Sequence, residues 1–186
     1  MIALCTIFSK LGKGGLYDRA FLLVGALVWT SRLLRAHPVP TGDRDSDLKA
    51  QSSLAYSIAN LAHGVTKVCE QARHPNPGPL FELLAERGLQ VTSYMTAQSV
   101  ANLAWALATA EHKAPILFDA LAKHALNIMP TLIAQNVANM AWAFSKAEHK
   151  APILFDALAK HALNIMPTVY FECTSCRLTA TSKKGI

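Results

Sequence analysis

The chain is short of charge: Asp, Glu, Lys and Arg make up 16% of its 186 residues, and hydrophobic residues make up 52%. A chain this apolar can bury a core, which excludes an intrinsically disordered protein. Acidic residues are the scarcer kind, 12 against 18 Lys and Arg, for a formal charge of +6. That excess is not spread evenly. Residues 1–50 carry 7 basic against 4 acidic side chains, residues 169–186 carry 3 against 1, and the long middle, 51–168, carries 8 against 7. Any binding of nucleic acid must therefore rest on placed side chains and not on bulk charge.

Cysteine is scarce as well. Cys5, Cys69, Cys173 and Cys176 do not form a secreted-type framework, which fits a reducing compartment. Cys173-Thr-Ser-Cys176 has neither the second ligand pair that zinc requires nor the strand–turn–helix setting of a redox motif, and reads as two incidental thiols. The apolar run near the start, residues 20–29, is ten residues long, where a bilayer span needs about 20. No membrane partner is expected. Paired carboxylates, a nucleophile beside a base and a phosphate-binding loop are all missing, so the expectation is a protein that is not an enzyme and carries no cofactor and no metal.

What the sequence does have is repetition. Residues 110–131 and 147–168 are identical, AEHKAPILFDALAKHALNIMPT, 37 residues apart, and the preceding segments QSVANLAWALAT and QNVANMAWAFSK differ little. A worn third copy comes first: Ile58-Ala59-Asn60-Leu61-Ala62 matches Val100-Ala101-Asn102-Leu103-Ala104. Its second half, from Leu80, matches at the regular offset once an insertion around residues 73–79 is allowed. The units run 51–94, 95–131 and 132–168. Each reads as a helical hairpin. Val137, Met140 and Phe144 form the apolar stripe of a first helix, as do Val100, Leu103 and Leu107, and Ile58, Leu61 and Val65. Glu148-His149-Lys150 makes a turn, Pro152 opens a second helix at N1, and Pro167 is expected to end it. That second helix should bury Leu154, Leu158, Ala162 and Ile165 and pair Asp156 with Lys160 on its exposed face. A hairpin cannot bury its stripe alone, so the units must stack. The fold class is all-α, an α-solenoid of tandem 37-residue hairpins.

Outside the array, residues 1–36 are rich in Lys and Arg with Asp18 the one acid, which fits either an organelle transit segment or an upstream helix. Residues 37–50, HPVPTGDRDSDLKA, read as a linker, and residues 169–186 as an irregular tail. The repeat pattern stops without a polar capping helix, leaving an end expected to attract other proteins.

Opposite the apolar stripe, Gln135, Asn139, Trp142 and Lys146 share one line of the first helix at 100° per residue. The second unit puts Gln98, Asn102, Trp105 and Thr109 on that line, and the first puts Tyr56, Asn60, His63 and Lys67 there. Amides read base edges, flat rings stack on bases and lysines meet phosphates. The expected RNA-binding residues are Gln98, Asn102, Trp105, Gln135, Asn139, Trp142 and Lys146, and the expected partner is single-stranded RNA. Two structural alternatives stay open: the Trp residues as core at the seam between repeats, and the Asn residues as a ladder bonded to turn backbones. His112 and His149 recur in the turns without ligand-like neighbours, and His124 and His161 read as helix-surface residues.

The unit Q-x-[VL]-A-N-[LM]-A-W-A followed by LFDALA resembles the octotricopeptide-repeat proteins of algae and other protists. It is similar too to the helical repeats of the Fas-activated serine/threonine kinase family and related proteins that end in a RAP domain. The likeness covers residues 95–168 well and 51–94 loosely. It implies an organelle RNA-binding protein, mitochondrial or chloroplast, acting in transcript processing, stability or translation. No RAP-type segment follows the repeats and the prolines before the second helix are single, so the nuclease-like activity suspected of RAP domains does not carry over. A protein-interaction scaffold is the competing reading, favoured by the near-neutral repeat body.

Overall fold

Every first-helix apolar stripe read from the sequence is buried. Val100, Leu103, Leu107, Met140, Phe144 and Ile58 have no exposed surface, and Leu61, Val65 and Val137 have less than a tenth. The computed structural model describes residues 44–72 and 78–172. Among them the chain is all-helical, without strands: α1 (Arg44–Ala72), α2 (Gly78–Val91), α3 (Ala97–Thr109), α4 (Pro115–Asn127), α5 (Ala134–Lys146) and α6 (Pro152–Glu172). Short 3-10 turns at Thr92–Tyr94 and Met129–Thr131 join one hairpin to the next. The first helices α1, α3 and α5 pack side by side in one layer, and α2, α4 and α6 form the second. This is the stacked-hairpin arrangement of an α-solenoid.

The core lies between the layers and runs through all three units. Phe81, Phe118 and Phe144 are its largest fully buried side chains, and Phe118 meets Phe144 edge to face at 5.1 Å, linking the second hairpin to the third. Each such ring contributes roughly 1.5–3 kcal/mol by leaving water. Gly88 on α2 is a point of close approach, since a Cβ there would stand 2.9 Å from Leu103 Cδ2. Cys69 is buried, and burial pushes its thiol pKa up, which keeps it inert.

The helix ends show why the repeat reads as it does. Thr96 caps α3, its hydroxyl accepting from Ser99 N–H at 3.2 Å. One repeat later the cap position is Ile133, which has no acceptor. Asn136 at N3 compensates, its Oδ1 accepting from Ile133 N–H at 3.2 Å, one half of a capping box. Pro115 and Pro152 begin α4 and α6. At the other end of α3 and α5, His112 N–H reaches Leu107 O and His149 N–H reaches Phe144 O. Glu111 N–H reaches Ala108 O, and Glu148 N–H reaches Ser145 O. These are Schellman closures, and they put Glu111 at φ 55 and Glu148 at φ 53, a left-handed position that glycine usually fills.

Four expectations need correction. The helix starts at Arg44, inside the segment read as linker up to residue 50; Asp45 and Asp47 in its first turn favour that start through the helix dipole. Pro167 does not end α6, which runs to Glu172, into the segment read as an irregular tail. A proline removes one N–H and crowds the turn before it, but that bends or weakens a helix without forcing a stop. Asp156 and Lys160 are both exposed and make no ion pair with each other, as expected for side chains whose ordering costs more than a solvated pair returns. Leu154 and Leu158 are buried, whereas Ala162 and Ile165 are half-buried. Residues 1–43, with the predicted transit segment, lie outside the described residues, as do Cys173 and Cys176. No described helix is long and apolar enough to cross a membrane.

Candidate nucleic-acid interface

Because α1, α3 and α5 lie side by side, the stripes opposite the core become parallel rows. A row from Gln135 to Lys146 spans roughly 16 Å at 1.5 Å per residue, and its length divides into an amide end, a ring zone and a cation end.

At the amide end, Gln98, Asn102, Gln135 and Asn139 line one groove of about 650 Å³, together with Tyr56 from α1, Thr96, Thr131, Asn136, Ile128, Ile133 and Ala97. Gln98 and Gln135 are exposed and Asn102 and Asn139 half-buried. None of these four amides makes a side-chain hydrogen bond among the described residues. The asparagines are therefore not a structural ladder to turn backbones, and their donors and acceptors face the groove and its water. Asn136 is a fifth amide, 7% exposed. Its oxygen caps α5, and its NH2 has no partner among the described residues.

In the middle, the rings of three repeats form a ladder. His63 and Trp105 lie 4.9 Å apart at 46°, and Trp105 and Trp142 are stacked at 6.3 Å and 30°. Trp105 is half-buried at the seam, while Trp142 is 45% exposed. The seam and the surface are thus the same place: Trp105 joins the repeats and its neighbour offers a face to solvent. Lys67 Nζ stands 4.5 Å from the Trp105 ring centre, a cation–π contact. Burial of His63, with Lys67 beside it, holds the imidazole below its ordinary pKa of 6.5 against a smaller opposing pull from Glu70. At neutral pH His63 is an uncharged flat ring.

At the cation end, Lys146 does not stand free. Its ammonium is 3.3 Å from Glu111 of the preceding repeat, and Lys67 is 3.5 Å from Glu70. Lys146 lines a separate hollow of about 560 Å³ between the turns of the second and third hairpins, with Glu111, His112, Lys113, Glu148 and His149. Both ion pairs are exposed and worth at most about 1 kcal/mol, so a phosphate could displace the carboxylates, but the face is close to electrically balanced.

Sequence reasoning missed several of these roles. Tyr56 lies on the line but is not among the expected site residues; its place beside the amides depends on how far α1 slides against α3. His124 and His161 are not idle surface residues. Each half-buried imidazole donates from Nε2 to a backbone carbonyl 29 residues earlier, Met95 O and Leu132 O, at 2.8 Å in both repeats. They tie each second helix to the entry of its own first helix. The signal for them is the recurrence of a polar residue beside an apolar face. His149 donates from Nε2 to Asp119 Oδ1 at 2.9 Å and packs on Phe118 and Phe144, a further clasp between repeats. Among the described residues no cluster of His, Cys, Asp and Glu could hold a metal.

Comparison with known proteins sharpens this geometry. Neither the curated proteins nor the solved structures gave a match. A family model did match, over residues 66–177, which is more than half of the chain. It is not an octotricopeptide-repeat or RAP-type model. The chain belongs to the RNA-editing substrate-binding complex 6 protein family.

Proposed function

We propose that the chain is a non-enzymatic, RNA-binding helical-repeat subunit of an RNA-editing or RNA-processing assembly, and that it holds single-stranded RNA across α1, α3 and α5. The observation that carries this reading is the row of amides without internal partners on α3 and α5, beside a ladder of rings that spans three units, in a chain of this family. Stacking on aromatic faces contributes about 1–3 kcal/mol per base and tolerates any base. Amide edges add the selectivity that stacking lacks. One unit per base is the simplest register for such a surface, as in other helical-repeat RNA binders. We place this activity in the mitochondrion, and the basic, acid-poor stretch of residues 1–36 supports import there. The chain also fits a role among protein partners, for which exposed Ile116, Ile153 and Leu163 on the second-helix layer are suited.

Ultraviolet crosslinking of the full chain in cells, followed by sequencing of the bound RNA and mass spectrometry of the crosslinked peptides, tests the reading. Mitochondrial transcripts should be enriched, with adducts on α3 and α5 peptides. Recovery of partner proteins without crosslinked RNA would leave the scaffold reading in its place.

A further inference from the structure

The groove at the amide end differs from the rest of the face in one respect: its wall holds no Lys, Arg, Asp or Glu among the described residues. Its lining is carboxamide, hydroxyl, one phenol ring and aliphatic carbon. A groove of that kind has nothing to neutralise a phosphate. Two of the first-turn backbone groups that could have served an anion are already engaged: Ser99 N–H by Thr96 and, at the cap, Ile133 N–H by Asn136. What the wall does offer is four neutral amides side by side, Gln98, Asn102, Gln135 and Asn139, with no internal partners, around a volume of about 650 Å³. Asn136 is mostly buried, yet its NH2 reaches solvent without a protein partner and adds one more donor to the wall. Tyr56, 44% exposed on α1 and without a side-chain hydrogen bond, gives one flat face.

We infer that this groove is a nucleobase pocket, in which an unpaired base is stacked against Tyr56 and read along its hydrogen-bonding edge by Gln98, Asn102, Gln135, Asn136 and Asn139. The inference rests on the RNA-binding reading above and deepens it: the surface recognises bases, and the phosphates contribute little. Amides suit this task because each carries both a donor and an acceptor, which is also what a base edge presents. The ring ladder stacks without selecting, so selection among bases belongs to the groove. Charge is sparse enough to count. On the described face the cations are Lys67, Lys146 and, in the hollow beside it, Lys113, and three contacts to a single strand would contribute a slope of log affinity against log salt of only about −2.

The test uses the full chain and fluorescent 12-nucleotide probes: rA, rC, rG and rU homopolymers, and an abasic ribose-phosphate strand of equal length. The chain should prefer one homopolymer over the others and bind the abasic strand at least about ten-fold more weakly. Tyr56→Ala should weaken the preferred homopolymer about five-fold or more, the lower bound for a lost stack, and Tyr56→Phe should not. Circular dichroism on both variants reports whether α1 is intact, and Tyr56→Phe isolates the ring from the hydroxyl. Equal affinity for the abasic strand, or full affinity in Tyr56→Ala, would overturn the pocket while leaving RNA binding as a function. Failure to bind any strand would remove both.

Discussion

Residues 110–131 and 147–168 are the same 22-residue sequence in two places, and the two copies do not fold alike. Their first parts agree closely. Both leave the preceding helix through a left-handed glutamate, both start a helix at proline, and both donate a histidine Nε2 to a carbonyl at 2.8 Å. Their last parts diverge. The second hairpin's helix stops at Asn127 and passes into a 3-10 turn containing Pro130, whereas the third hairpin's helix continues through Pro167 to Glu172. Identical local sequence cannot explain different endings. The cause lies downstream: after the first copy Leu132 is buried and Asn136 caps a new helix, and after the second copy the chain reads VYFE instead. Proline sets where a helix can end; a downstream helix with its own cap decides that it does.

The same comparison separates what neighbours contribute. Phe118 is 2% exposed and Phe155, its twin, is half-buried; Ala101 has no exposed surface and its twin Ala138 is exposed. Replacing Phe118 with Ala should cost about 3–5 kcal/mol, while Phe155→Ala should cost less than half as much. Equilibrium urea unfolding of the two variants measures both. Equal losses would mean that the third hairpin is as well covered as the second, against the solenoid as described.

The histidine ties predict a smaller and symmetrical effect. His124→Ala and His161→Ala each leave a carbonyl without its donor, at about 1–2 kcal/mol, and the two losses should agree because the bonds have one length and one sequence spacing. A clear difference between them would show that the tie is not a property of the repeat. Smaller still is the gain expected at the turns. Glu148→Gly relieves a left-handed glutamate and should raise stability by about 0.4–1 kcal/mol. Glu111→Gly should gain less, because it also removes the carboxylate that Lys146 holds at 3.3 Å. Thermal melts of the two single variants should rank them in that order.

Much of this architecture is legible in the sequence. The unit length, the two-helix reading, the Pro152 start and all nine stripe positions come from periodicity and helix-end chemistry, because those depend on residues close in sequence. The amide and ring line is legible for the same reason. Three things are not. The splitting of that line into a neutral groove and a charge-balanced end depends on contacts between repeats, such as Lys146 with Glu111, 35 residues apart. Tyr56 joins the groove only through the packing of α1 on α3. The fate of Pro167 depends on the segment after it, where the repeat no longer offers a template.

The central claim is that the amides face RNA and do not hold the fold together. The double substitution Gln135→Ala with Asn139→Ala tests it most directly, with RNA affinity and melting temperature measured on one preparation. Neither side chain has a hydrogen bond among the described residues, so the melting temperature should stay within about a degree of the parent, in line with surface substitutions that change stability by less than about 0.5 kcal/mol. Affinity for single-stranded RNA should fall about ten-fold or more, as when two base-edge contacts are lost. A large drop in melting temperature with RNA affinity unchanged would contradict the account.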